Sequence, residues 1–143
     1  EKVRSWGAEN THFIEPSGLS PKNMTTARDY ALIAKRVLSH PIIEKASTMP
    51  EYSFTTQNTD RSFEFDNTDK LLDDLQFSRI NDFKITGSKT GYLHEAGYCL
   101  IVRVSPEKEE DFLVVTLGSD SRQDSFDDTR KLIKYGLTKI RSQ

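Results

Sequence analysis

The 143-residue chain has the length of one domain, with 35% hydrophobic and 29% charged residues and a net charge of −2. No Lys/Arg cluster exceeds two or three residues, which excludes the basic footprint of a nucleic-acid binder, and no apolar run approaches the ~20 residues of a membrane span. The apolar content is lean for a globular domain, which implies a modest core or one completed by another segment.

In chain order, "EKVRSWGAENTHF" reads as the end of a helix, with Gly7 at the position after the cap, where a positive φ favours glycine. A helix ending there would have begun before residue 1, so the expectation is a fragment. "IEPSGLSPKN" is turn-rich. "TTARDYALIAKRVLSH" is the clearest helix: Thr26 and Asp29 form a capping box with Asp in place of Glu or Gln, and Ala27, Tyr30, Ile33, Ala34, Val37 and Leu38 make one apolar stripe. Pro41 opens a short second helix, "PIIEKAS".

"YSFTTQNTDRSFEFDN" alternates around a polar centre and predicts a hairpin turning at Gln57–Asp60. Tyr52, Phe54 and Thr56 share a face with Phe63 and Phe65, and the phenylalanines and Tyr30 are expected in the core. "TDKLLDDLQF" reads as weak helix or loop. Three strands follow, at 83–91, 97–104 and 111–118; the middle one is nearly all apolar and should be covered on both faces. "SFDDTRKLIKYGLTKI" closes the chain as a helix, with Ser125 as its expected N-cap and Phe126, Ile133, Leu137 and Ile140 as its stripe. The order predicts an α+β fold, an antiparallel sheet with helices packed on it.

Within the first of these strands stands Lys89-Thr90-Gly91, followed by Tyr92. Lys89 offers a point charge with three donors, and Thr90 a hydroxyl that can donate to a carboxylate. Gly91 lets a substrate or another backbone come close. The Tyr92 backbone N–H would suit an oxyanion if the strand lies at a sheet edge. A lone tripeptide of this kind also occurs on surface strands with no role.

Its context is more specific. "NTHFIEPSGLS", "TTARDYALIAKRVL", "FDNTDKLL" and "GSKTGYLHEAGYCLIVRV" occur in an order that resembles the C-terminal part of the serine-type D-alanyl-D-alanine carboxypeptidases. These are low-molecular-mass penicillin-binding proteins of the peptidase S11 family, related in fold to serine β-lactamases. The resemblance runs from about residue 1 to residue 140. It implies a five-stranded antiparallel sheet with Lys-Thr-Gly on an edge strand, and removal of a terminal D-Ala from peptidoglycan stem peptides through an acyl-serine that β-lactams also form. By the same resemblance, Lys89 would be the lysine that supports proton transfer and the electrostatics of the cleft. Thr90 would contact the substrate carboxylate, with Gly91 beside it, and the Tyr92 N–H would form half of the oxyanion hole. It implies an extracytoplasmic location, with stem peptides and β-lactams as ligands and no cofactor.

The chain departs from that pattern. The family's Ser-x-x-Lys nucleophile and Ser-x-Asn motif lie upstream of the part resembled here, and these 143 residues contain no Ser-x-Asn. Their one Ser-x-x-Lys, Ser105-Pro106-Glu107-Lys108, falls in the turn between two strands, where no surrounding base is held in place. Leu93 stands where the family often has Thr. Ser125, with Arg122 nearby, stands where it often has a carboxylate-binding arginine. The expectation is half an active site, on the C-terminal portion of one catalytic domain. An alternative is a catalytically inactive binding or structural module; a third is a β-lactamase fragment, which the Ala-Gly-Tyr-Cys continuation fits less well.

The strand at 111–118 would pair with an N-terminal strand of the same domain or, failing that, with another copy of the chain. His12, His40 and His94 are far apart and form no metal motif, so no metal is expected. His94 is read as an exposed loop residue, and Cys99, in an apolar strand, as a buried core thiol.

Overall fold

A computed structural model describes residues 1–142. The elements follow the expected order: α1 (Ala27–Val37), α2 (Pro41–Thr48), β1 (Glu51–Thr55), β2 (Ser62–Asp66), α3 (Leu75–Ile80), β3 (Phe83–Leu93), β4 (Gly97–Pro106), β5 (Phe112–Ser119) and α4 (Arg122–Arg141). The five strands are antiparallel but divide into two sheets, β1-β2 and β3-β4-β5. Among the described residues, β3 and β5 are therefore the edges of the larger sheet, as expected of the strand that carries Lys-Thr-Gly. No helix among them is long and apolar enough to cross a membrane.

β4 sits in the middle, and its alternation serves two cores. Leu100, Val102 and Val104 face α4, where they pack with Phe126, Ile133 and Leu137. Ile101 points the other way, toward Ala34 and Leu38 at the end of α1, with Tyr30 and Leu113 at the margin. This explains the nearly continuous apolar run: both faces of the strand are covered. Gly87 lets the second layer close. A Cβ there would lie 2.9 Å from the Cβ of Leu38.

Several local expectations need correction. The first segment is a single 3-10 turn at Arg4–Trp6, ended by Gly7 at φ 89°. Only half of the capping box forms: Thr26 accepts from the Asp29 amide, but the buried Asp29 carboxylate accepts instead from the Asn10 amide at 2.6 Å and the Thr11 hydroxyl at 3.0 Å. The Asn-Thr-His and Thr-Ala-Arg-Asp segments thus anchor each other, and His12 pairs with Met24 in an isolated bridge beside them. Ser121, not Ser125, caps α4, accepting from the Asp124 amide at 3.0 Å. Ser-x-x-Asp occurs at both 121 and 125, and the helix begins at the earlier one; Ser125 is buried in its first turn and bonds back to the Arg122 carbonyl.

The hairpin pairs in the expected register, Tyr52 with Phe65 and Phe54 with Phe63. Its aromatics are not core. Phe54, Phe63 and Phe65 are 41%, 42% and 53% exposed. Local alternation predicts a strand face but not the presence of an element to cover it, and these rings stack on one another instead.

Candidate functional site

β3 brings Lys89, Thr90, Gly91 and Tyr92 to one side of an open cleft of about 340 Å³. The Ser17-Gly18-Leu19 turn, Thr68, Tyr98 and Cys99 of β4, and Arg122, Ser125 and Phe126 of α4 complete its lining. Two cations, Lys89 and Arg122, face this space, and no carboxylate lines it. In a chain of net charge −2, the cleft is locally positive and suited to an anion.

Each part is held by local chemistry. Glu15 organises the turn under the cleft: its carboxylate accepts from the Ser17 and Ser20 amides and from the Ser17 hydroxyl and the Asn23 side chain. Led by the Ser17 hydroxyl, those bonds lower its pKa from an ordinary 4.5 to about 2. On β4, Tyr98 lies opposite Tyr92, and the two rings, 4.3 Å apart, form an aromatic wall.

The Lys89 ammonium is exposed and donates to the Thr90 carbonyl. Among the described residues it has no carboxylate within ion-pair reach, so its charge is available to a ligand. A Cβ on Gly91 would make only an ordinary 3.8 Å contact with Cys99. The fold itself therefore tolerates a side chain there, and its absence keeps the cleft wall low.

Beneath the strand, Ser88 is buried and donates to the buried Asp69 carboxylate, which also accepts from the Leu71 amide at 3.0 Å. Burial pushes the Asp69 carboxyl above its ordinary value, against the opposing pull of those two donors. The Thr90 hydroxyl lies 2.5 Å from that of Thr68.

Cys99 is half-buried and lines the cleft rather than the core: it lies on β4 opposite Gly91, which carries no side chain to cover it. Ser105 lies within β4, opposite Lys84, and donates to Asp111 at 2.6 Å. Five residues separate Lys84 from Lys89 along β3, about 17 Å, so Ser105 is remote from the cleft. His94 is exposed in the turn after β3 and is not part of the lining. Among the described residues, no group of three or more His, Cys, Asp or Glu could hold a metal ion. Motif reading missed Thr68, Tyr98 and the Ser17–Leu19 turn; the only trace was their inclusion in the quoted segments "FDNTDKLL", "GSKTGYLHEAGYCLIVRV" and "NTHFIEPSGLS".

Residues 1–121 match the family profile described as D-alanyl-D-alanine carboxypeptidase. A D-alanyl-D-alanine endopeptidase of Pseudomonas aeruginosa is 30% identical over 134 residues, 94% of this chain and 41% of that protein. One from Escherichia coli is 34% identical over 114 residues, covering 80% of this chain and 35% of the relative. The D-alanyl-D-alanine carboxypeptidase DacF of Bacillus subtilis is 34% identical over 101 residues, 70% of this chain and 24% of that protein. Among solved structures, a D-alanyl-D-alanine carboxypeptidase from Mycobacterium tuberculosis superposes with a TM-score of 0.76 at 21% identity, over 96% of this chain and 50% of the other. A Streptomyces DD-transpeptidase gives 0.80 at 24% identity, over 96% and 51%. The chain thus spans less than half the length of these curated relatives and about half that of the solved structures.

Proposed function

The chain belongs to the D-alanyl-D-alanine carboxypeptidase family, peptidase S11, and from that premise we propose that it supplies the Lys-Thr-Gly wall of a serine-type carboxypeptidase acting on peptidoglycan stem peptides. The observation that carries this reading is the cleft itself: an edge strand presents Lys89, Thr90 and Gly91 to a space lined by two cations and no carboxylate. A substrate ending in a free carboxylate matches that charge and the Thr90 donor.

In the proposed reaction, a serine supplied outside residues 1–143 attacks the carbonyl of the penultimate D-Ala. Its proton passes to the departing amine, the C–N bond breaks, and terminal D-Ala leaves. Water then hydrolyses the acyl-serine. Lys89 supports the proton transfer and holds positive charge beside the reacting centre. Thr90 donates to the substrate carboxylate, and Arg122, one turn before Ser125, supplies the cation on the opposite wall. The Tyr92 N–H donates to the developing oxyanion.

Residues 1–143 are, on this reading, the C-terminal portion of one catalytic domain. It works outside the cytoplasm, and the outer side of β5 is met by an N-terminal strand of the same domain or by another copy.

Covalent labelling with a fluorescent penicillin tests the reading. The 143-residue chain should stay dark, and the full-length protein should label. Lys89→Ala should slow that labelling by about 10²-fold. Labelling of the short chain would place a nucleophile within it. A dark full-length protein would favour the inactive binding module.

A further inference from the structure

The cleft is bordered by a segment whose side chains alternate between anchoring and display. Asn67 points inward: its side-chain amide donates to the Ser47 carbonyl at 3.1 Å and the Met49 carbonyl at 2.9 Å, and its oxygen accepts from the Asp69 amide at 2.9 Å. Asp69 is buried against Ser88 and the Leu71 amide, beneath β3. Thr68, between these two anchors, lies on the cleft lining, 2.5 Å from the Thr90 hydroxyl oxygen.

We infer that Thr68 is a positioning residue that aims the Thr90 hydroxyl at the anionic group of the substrate; this rests on the reading of Thr90 as the carboxylate contact. A threonine hydroxyl has one proton. When Thr90 gives its proton to a carboxylate, the bond between the two hydroxyls persists only with Thr68 as donor. Thr68 then holds the Thr90 oxygen in place and polarises its proton toward the anion. Fold stability does not require this bond, because Thr68 is exposed and water can satisfy its hydroxyl. Asn67 and Asp69 provide the anchoring, so the geometry of Thr68 is set independently of the contact it makes.

The test uses the full-length protein and resolves penicillin acylation into a half-saturating concentration and a limiting rate. Thr68→Val keeps the shape and removes the hydroxyl. It should raise the half-saturating concentration about 5- to 10-fold, the effect of losing one hydrogen bond, and leave the limiting rate within about two-fold. Thr68→Ser should restore the parent value. Thr90→Val should weaken binding at least as much, and the Thr68→Val/Thr90→Val pair should equal Thr90→Val alone. Thr68→Ala, measured beside Thr68→Val with melting curves, separates lost function from lost folding.

A Thr68→Val enzyme within two-fold of the parent, a loss in the limiting rate alone, or additive losses in the double variant would overturn the inference while leaving the Thr90 reading intact. If Thr90→Val itself costs nothing, the reading of Thr90 fails and this inference fails with it.

Discussion

The hairpin β1–β2 and the strand β4 both lie in antiparallel pairs, and both place apolar side chains on one face at every second residue: Tyr52, Phe54, Phe63 and Phe65 in the hairpin, Leu100, Val102 and Val104 in β4. In the hairpin, every residue of both strands is exposed. In β4, Leu100, Val102 and Val104 are sealed beneath α4, and Ile101 is sealed against α1. The difference lies in what covers the strands. Five-residue strands joined by a tight turn are marginal alone, and the hairpin rings make do with each other. The ten- and eleven-residue strands of the larger sheet are long enough to carry helices on both faces. The comparison teaches that alternation specifies a face and the rest of the fold decides whether that face becomes core. β3, which carries the candidate cleft, is paired along its length with this doubly covered β4, a rigid support for the side chains it displays.

Truncation would test this contrast most directly. Leu100→Ala should cost about 2–5 kcal/mol in urea unfolding, because it opens a cavity in a closed layer. If that loss fell below about 1 kcal/mol, β4 would not be the centre of the core. Gly87→Ala should cost about 1–3 kcal/mol, since the added methyl would meet Leu38 at 2.9 Å and push α1 away from the sheet. An unchanged urea midpoint would mean the layer yields freely. Phe63→Ala, in the hairpin, should lower global stability by less than about 1 kcal/mol, the worth of its ring partners. A loss as large as that of Leu100→Ala would show that the hairpin face is covered in solution and would erase the contrast.

Much of the fold was legible in the chain. The α1 stripe, the hairpin register, the three-strand meander and the final helix all follow from signals within a few residues. So does the placement of Lys-Thr-Gly on a strand. Where local signals came in duplicate, they could not choose: Ser121 and Ser125 offer the same cap, and the helix takes the first. Where a side chain had two partners available, the nearer in sequence did not always win. Asp29 turns to Asn10 and Thr11, eighteen and more residues away, because burial leaves it no water and those donors reach it.

The sequence by itself determined the five strands, the helices α1, α2 and α4 and their order, the Lys-Thr-Gly strand and the absence of a Ser-x-Asn partner within these residues. Backbone propensity, side-chain period and composition act locally, so they can be read locally. Only the tertiary structure decided that the hairpin rings stay exposed, that Cys99 borders the cleft, and that Thr68 meets Thr90. Thr68 and Thr90 are 22 residues apart, and the cleft that Cys99 borders is lined from Ser17 to Phe126; such contacts depend on which faces remain once the cores at β4 have closed.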